Sequence, residues 1–433
     1  MKKIALVTHG CAKNLVDSEL ILGILAQNGY EITLNEDETD IVIVNTCSFI
    51  CDAERESIST ILELVEKGKK VIVAGCLAQK HPEELKKEIP EICAVVGTTD
   101  FNKIVEVLKE IDKEFVSEVS VKPDYIYPEN VERQQITMGA SSYIKIADGC
   151  NYRCGYCIIP HLRGDYHSRK IEDIIEEAKK LVKRGVTEII LIAQDTTGYG
   201  IDLYKKPMLA ELLKKLNLIE GLGWIRIMYA YPTTMSDELL DTIAKSDKVV
   251  KYVDIPLQHS HPEMLKKMNR PAFDYRDLIS NIRKRIPNVS IRTTFIVGYP
   301  EETEEHFKHL AQFIKDMKFD RVGVFTYSRE KGTPSYNMKN RVPAKVAKQR
   351  YKKLMEIQQE ISLERNKSFI GKEIPCIIEA FSDDGEVVAR SEYDAPEIDG
   401  IVSIKTDKFV TPGDIEIVRI TGASEYDLKG EII

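Results

Sequence analysis

The chain has 433 residues, 43% of them hydrophobic and 30% charged, and carries a net charge of −8 at neutral pH. Its length exceeds one ordinary core and predicts two to four domains, and its composition is that of a soluble globular protein. Uninterrupted apolar runs such as Ile41–Val44 are far too short to span a membrane, and the Met1-Lys2-Lys3 start leads straight into a strand pattern, so the expectation is a cytoplasmic protein with no membrane attachment. Nine cysteines, an odd number with clustered spacing, read as metal ligands in a reducing compartment in preference to a disulfide framework.

Residues 1–116 alternate short apolar runs with amphipathic stretches. Lys3–Thr8, Ile41–Asn45 and Lys70–Ala74 are predicted as buried parallel strands, with helices over Ser18–Asn28 and Asp52–Glu66 and a weaker pair, Ala94–Val96 and Phe101–Ile111. The pattern predicts an α/β domain with a doubly wound parallel sheet. Cys11, Cys47 and Cys76 each fall within a few residues of a predicted strand's carboxyl end. In a parallel sheet those ends line one crevice, so three thiols far apart in sequence converge and can hold a metal cluster. The competing reading is three buried, inert thiols. Cys51, four residues after Cys47, could stand in for it, whereas Cys93 and Cys376 read as core. Residues 117–138, with Pro123 and Pro128 and no clean period, are predicted as a linker.

From 139 to 368 a second alternation begins. Six strand-like segments, Tyr143–Ile146, Thr187–Ala193, Trp224–Tyr229, Tyr252–Leu257, Ser290–Val297 and Arg321–Tyr327, alternate with helical stretches, and a long helix over Ala344–Lys367 closes the region. This predicts a partial (βα)6 relative of the TIM barrel. Directly after its first strand come Cys150, Cys154 and Cys157, spaced Cys-x3-Cys-x2-Cys. Three thiolates can hold three corners of a cubane iron-sulfur cluster and leave the fourth iron open to a small molecule. A zinc site completed by His161 is the alternative, and it would close every position. Placement at a strand's carboxyl end in a βα array, where active sites lie, favours the open cluster.

Residues 369–433 change character again. Short runs of alternating apolar and polar residues, as in Ile374–Glu379 and Ile415–Arg419, with turn signals at Asp383-Asp384-Gly385 and Pro412-Gly413-Asp414, predict a small antiparallel, OB-like β-barrel. From Gly371 onward there are 15 acidic and 6 basic residues, a net of −9. Such a module repels phosphates and attracts a basic partner, unless its acidity serves solubility alone.

The cysteine trio with Tyr156 between its last two members resembles the Cys-x3-Cys-x-aromatic-Cys signature of the radical S-adenosylmethionine superfamily. That resemblance implies an open iron that chelates S-adenosylmethionine and delivers an electron to its sulfonium, releasing a deoxyadenosyl radical. Thr294–Glu301 resembles the superfamily's Gly-x-Ile-x-Gly-x-x-Glu element near the adenine, with Thr294 in place of the first glycine. Gln194 and Asp195 stand where a Gly-Gly-Glu element usually meets the methionine amino group. The implied cofactor-binding residues are Tyr156, Gln194, Asp195 and Gly298.

The order of a three-cysteine domain, a radical domain and a terminal barrel resembles the methylthiotransferases over essentially the whole chain, and their terminal module is called TRAM. The resemblance implies two 4Fe-4S clusters, held by Cys11, Cys47 and Cys76 and by Cys150, Cys154 and Cys157, with S-adenosylmethionine as methyl and radical source. No catalytic residue beyond these ligands is assigned. Gly10–Glu19 and Ala389–Gly400 resemble the branch that modifies an aspartate of small-subunit ribosomal protein S twelve, and the acidic tail points the same way. The implied partners are that basic protein, bound through TRAM, and an electron donor such as flavodoxin or ferredoxin, with no direct nucleic acid substrate. The alternatives are methylthiolation of an adenosine in transfer RNA and, in a different class, a non-catalytic, metal-stabilised RNA-binding adaptor.

Overall fold

The computed structural model describes residues 2–124, 127, 131–136 and 139–433. Pro128 lies outside these residues. The chain divides into two compact units, one made of Met1–Met138, Asp148–His167 and Ser328–Tyr336, the other of Gly139–Ala147, Ser168–Tyr327 and Asn337–Ile433. Among the described residues no helix is long and apolar enough to cross a membrane.

The first unit is built on a six-stranded parallel sheet of β1 (Lys3–Thr8), β2 (Glu31–Thr33), β3 (Ile41–Thr46), β4 (Lys70–Gly75), β5 (Ala94–Val96) and β6 (Val116–Glu118), in the spatial order β2-β1-β3-β4-β5-β6. Every residue of β3 is buried, as its unbroken β-branched run Ile-Val-Ile-Val requires of a central parallel strand. The chain steps outward from β1 to β2 and then returns to β3 on the other side of β1, so the carboxyl ends of β1 and β3 form the topological switch point. Helix α1 spans Ala12–Gln27, six residues earlier than the pattern at Ser18 suggests. The reason is Cys11, which takes the extended N-cap conformation while its carbonyl accepts the Asn14 and Leu15 N–H groups at 2.8 and 3.2 Å. Two further helices also begin at cysteines, α2 (Cys51–Glu66) and α3 (Cys76–Lys80). The sixth strand falls where the linker was expected to start, and Asp100 fastens the chain just beyond it by accepting the Ser120 N–H and hydroxyl at 2.8 and 2.6 Å.

The second unit contains six parallel strands in sequence order. Ser141–Lys145, Glu188–Ile192 and Trp224–Ile227 form one ladder, and Tyr252–Asp254, Ser290–Val297 and Arg321–Thr326 form the other. The two are joined where Ile225 bridges Val249 in parallel and the Ala230 N–H reaches the Asp254 carbonyl at 2.8 Å. Five amphipathic helices, Ile171–Lys183, Leu209–Leu216, Asp237–Lys245, Tyr275–Arg285 and Glu304–Met317, lie between the strands, and Ala344–Lys367 follows the last. This is the open (βα)6 arc that the sequence predicts.

The tail closes into a five-stranded barrel of Glu373–Phe381, Val387–Ser391, Val402–Ile404, Leu428–Ile432 and Ile415–Ala423 around a core that includes Ile374, Cys376, Ile378, Val418 and Leu428. One pairing, Val402–Ile404 with Leu428–Ile432, is parallel rather than antiparallel. A closed ring with an odd number of strands cannot alternate direction throughout, so one parallel seam is unavoidable.

This barrel docks on the amino ends of the parallel strands through buried charge. Glu188 accepts from Arg226 Nε at 2.8 Å, from the Ser141 hydroxyl at 2.7 Å and from Arg390 of the barrel, and the Glu188, Arg226 and Arg390 side chains are all at most 1% exposed. Around this centre Tyr252 donates to Asp399 at 2.6 Å and Arg321 Nε to Asp394 at 2.9 Å. Burial alone would push the Glu188 carboxyl up, but Arg390 and Arg226 outweigh it and bring it from 4.5 down to about 2. Glu188→Gln leaves the buried Arg226 guanidinium without its counter-charge and Arg390 with Glu379 alone, and is expected to cost about 3–5 kcal/mol, read as a lowered thermal midpoint. Because the folded pKa is depressed, the stabilisation present above the unfolded carboxyl's pKa declines as pH falls from about 4.5 toward 2, a decline that the variant should lack in acid melts.

Candidate active site: two trios of thiols

The first trio assembles at the switch point of the six-stranded sheet. Cys11 follows β1, Cys47 follows β3 and Cys76 follows β4. Gly10 has φ +97°, and a Cβ there would sit 2.6 Å from the Cys47 Cβ and 3.0 Å from its sulfur, so the absent side chain is what lets the two loops meet. Asn14, in the first turn of α1, ties them together by donating from Nδ2 to the His9 and Thr46 carbonyls, both at 2.9 Å. The Thr46 hydroxyl in turn donates to the Ala74 carbonyl at 2.5 Å and accepts the Leu77 N–H at 3.1 Å, which fixes the Cys47 end against the Cys76 end.

The three sulfurs differ in environment. Cys47 and Cys76 are buried and Cys11 is exposed. Desolvation pushes all three thiols up, and it wins at Cys47, and at Cys76, which rises to about 12. At Cys11 the charges of Lys13 and Arg163 and the Asn14 and Lys13 N–H groups prevail and hold the thiol below its ordinary value. Each of Cys47 and Cys76 also feels the negative charge that ionised Cys11 would carry, a mark of convergence.

The second trio lies in the same unit. Gly149 (φ +78°) and Gly164 (φ +72°) bracket it, and a Cβ on them would strike the Asp165 carbonyl at 1.9 Å and the Pro123 carbonyl at 2.0 Å. The Cys150 N–H reaches the Gly164 carbonyl at 3.1 Å, closing the segment into a loop, and the Cys157 N–H reaches the Cys154 carbonyl at 3.0 Å. Arg153, at φ +51°, pins the loop outside by pairing with Asp165 at 2.7 Å. Cys154 is buried, and Cys150, Cys157 and Tyr156 are half-buried. The segment Ser328–Tyr336 adds a strut, with the Ser335 N–H on the Gly155 carbonyl at 2.9 Å. His161 is exposed on the short helix Ile159–Arg163 that follows. Cys51 points elsewhere, its sulfur 3.6 Å from Glu330 Oε1.

Sequence reasoning missed the group that connects the trios. Arg163 is buried, and its Nη1 pairs with Asp17 and Asp148, both at 2.9 Å, while its Nη2 donates to Asn14 Oδ1 at 2.7 Å and lies 4.0 Å from the Cys76 sulfur. Ile158 and Leu162, on the same stretch, pack directly against Cys76. The available signals were weak: an Asn14–Asp17 pair one turn apart on α1 and an aspartate two residues before Cys150.

All nine cysteines are free thiols. Three soft sulfur donors at each place, with fixed loops, fit an iron-sulfur cluster that keeps one iron unligated by protein.

The other predicted cofactor residues lie in the second unit at carboxyl ends of its strands. Gln194 and Asp195 follow Glu188–Ile192, where Asp195 Oδ1 accepts the Thr197 hydroxyl at 2.8 Å and the Gly198 N–H at 2.9 Å and so holds its own loop. Gly298 follows Ser290–Val297 with φ +78°, and a Cβ there would meet the Ala347 Cβ at 2.6 Å. Its N–H is bound at 2.6 Å by Glu302, one residue beyond the glutamate singled out by the motif. Tyr229 and Gln258, at two more strand ends, also have positive φ, +62° and +71°. The same unit gathers His261, Glu263 and His306, whose potential ligand atoms lie within 4.8 Å of one another. Both imidazoles accept a backbone N–H at Nδ1, from Glu263 at 3.3 Å and Thr303 at 3.2 Å, which places their protons on Nε2. Both side chains thus cap the starts of helices.

Comparison with known proteins follows the same divisions. The Radical SAM superfamily matches residues 144–314, the uncharacterized protein family UPF0004 residues 3–97 and the TRAM domain residues 370–433. The solved radical S-adenosylmethionine methyltransferase TsrM from Kitasatospora setae is similar in fold, with a TM-score of 0.57 at 16% identity over 78% of this chain and 77% of that one. The chain is 50% identical to the ribosomal protein uS12 methylthiotransferase RimO of Thermoanaerobacter sp. (strain X514), covering 100% of both. It is 49% identical to the protein of that name from Caldanaerobacter subterraneus subsp. tengcongensis, again over 100% of both. With RimO of Synechococcus sp. (strain RCC307) the identity is 48%, over 99% of this chain and 90% of the relative. At such identity over the full length, the chain belongs to the RimO family of ribosomal protein uS12 methylthiotransferases, within the radical SAM superfamily.

Proposed function

We propose that the protein is a radical S-adenosylmethionine enzyme that methylthiolates the β-carbon of an aspartate in ribosomal protein uS12. The observation that carries this reading is the presence of both thiol trios in one compact unit, with Arg163 reaching from behind one trio to within 4.0 Å of a sulfur of the other. Cys150, Cys154 and Cys157 would hold one 4Fe-4S cluster and Cys11, Cys47 and Cys76 a second, the first supplying reductive cleavage of S-adenosylmethionine and the second a site for the sulfur to be inserted.

The chain's own residues do the positioning. Gly10, Asn14 and Thr46 hold three strand ends together, so the thiols of the first trio are presented from a rigid sheet. Ile158 and Leu162 cover Cys76 and keep water from that side of it. Tyr156, Gln194, Asp195 and Gly298 are the residues we assign to S-adenosylmethionine. The acidic terminal barrel is the surface we assign to the basic protein substrate, and a flavodoxin or ferredoxin is the class of electron donor this reading requires, in the cytoplasm.

The test is anaerobic reconstitution with iron, sulfide, reductant and S-adenosylmethionine, offering uS12 and unmodified transfer RNA separately. An added methylthio group on the protein is expected by mass spectrometry, and modification of the RNA with the protein untouched would overturn the assignment. Cys154→Ala should abolish deoxyadenosine release. Cys76→Ala should lower iron content and stop methylthio transfer while deoxyadenosine still forms, and unchanged iron would remove Cys76 from the ligand set. Gly10→Ala forces a Cβ into the Cys47 side chain at a left-handed φ, and should cost about 1–3 kcal/mol of stability and reduce iron retention, read by melting and metal analysis.

A further inference from the structure

Arg163 joins the segments that carry the two trios. On one side it is fastened to the second trio at both ends of the loop. Gly164, the next residue, accepts the Cys150 N–H at 3.1 Å, and Asp148, two residues before Cys150, accepts from Arg163 Nη1 at 2.9 Å while its other oxygen takes the Gly149 N–H at 2.9 Å. On the other side it is fastened to the first trio. Asn14 and Asp17 both lie on α1, whose N-cap is Cys11, and Asn14 is the residue that ties the Cys11 and Cys47 loops. Its Nη2 faces the Cys76 sulfur at 4.0 Å. Burial opposes its charge, but Asp148 and Asp17 hold it protonated. A planar guanidinium suits this geometry, since one fork meets two carboxylates while the other meets an amide and a sulfur.

We propose that Arg163 is the positioning residue that couples the two cysteine sites, fixing their separation and keeping a cationic N–H donor against the first trio. This rests on the reading that both trios carry clusters. A fixed positive charge beside a cluster favours its more reduced, more negative state, and N–H groups directed at its sulfurs act in the same direction. A fixed separation lets group transfer at one site follow radical formation at the other. Arg163 itself touches no reacting atom in this scheme.

The test uses Arg163→Gln and Arg163→Lys in the full-length, reconstituted protein. First, with Cys150, Cys154 and Cys157 replaced by Ala to leave only the first site loaded, Arg163→Gln should lower the midpoint potential of the remaining cluster, measured by EPR-monitored titration, and Arg163→Lys should lower it less. Second, in the otherwise unaltered enzyme, the ratio of deoxyadenosine released to methylthio product formed should rise about ten-fold or more in Arg163→Gln. If potential and ratio both stay at the wild-type values, the proposal is overturned. Should Arg163→Gln fail to load iron, Arg163→Lys decides alone, because it keeps the charge and loses the fork. It should then raise the ratio, and an unchanged ratio overturns the proposal. Wild-type protein that binds a single cluster would instead overturn the two-cluster reading, a result visible in its iron content before any Arg163 variant is made.

Discussion

A parallel sheet ends all its strands on the same side, and that constraint generates the first trio. Cys11, Cys47 and Cys76 lie tens of residues apart, yet each is the residue, or nearly so, at which a strand gives way to a loop or helix, and β1, β3 and β4 are neighbours in the sheet. Convergence therefore needs no special connection between them. What it does need is close approach of the loops, which Gly10 permits by having no side chain and Asn14 and Thr46 enforce by hydrogen bonds. The second trio uses the opposite device. Its ligands are local in sequence, so a single loop, closed by two left-handed glycines and one backbone hydrogen bond, is sufficient.

Much of this was legible in the sequence because it rests on periodicity and spacing. The apolar runs Ile41–Val44 and Val71–Ala74, short and rich in β-branched residues, read as central parallel strands, and the six βα alternations give the open arc in sequence order. What escaped is what depends on side chains meeting across long separations. Nothing local in Ile159–Arg163 says that Arg163 is buried against Asp17, 146 residues away. The early start of α1 escaped because Cys11 is a poor N-cap by propensity, its role being set by the strand end before it. The seam in the terminal barrel follows from counting five strands, a consequence of closure that strand patterns alone do not display.

The charge of the terminal barrel also changes meaning once its contacts are known. Asp394 and Asp399 face Arg321 and Arg292 of the parallel-stranded region, and Glu379 faces Arg390 within the barrel, so part of the acidic excess is turned inward. The stretch Ala389–Gly400, which resembles the ribosomal-protein branch in sequence, is in structural terms a docking segment, with Arg390, Asp394 and Asp399 all paired to the parallel-stranded region. Asp383, Asp384 and Asp407, by contrast, are exposed on the barrel.

That docking has a consequence for the barrel it rests on. Six parallel strands make a gutter open at both ends, and side chains alone rarely seal so incomplete a ring. Here the lower opening is stoppered by an ionic plug, Glu188 clasped between Arg226 and Arg390, with the terminal barrel as its cap. For chemistry that removes hydrogen atoms from unreactive carbon, closing that end is a safeguard, because a stray thiol or other ready hydrogen donor admitted there would quench a radical before it met its target.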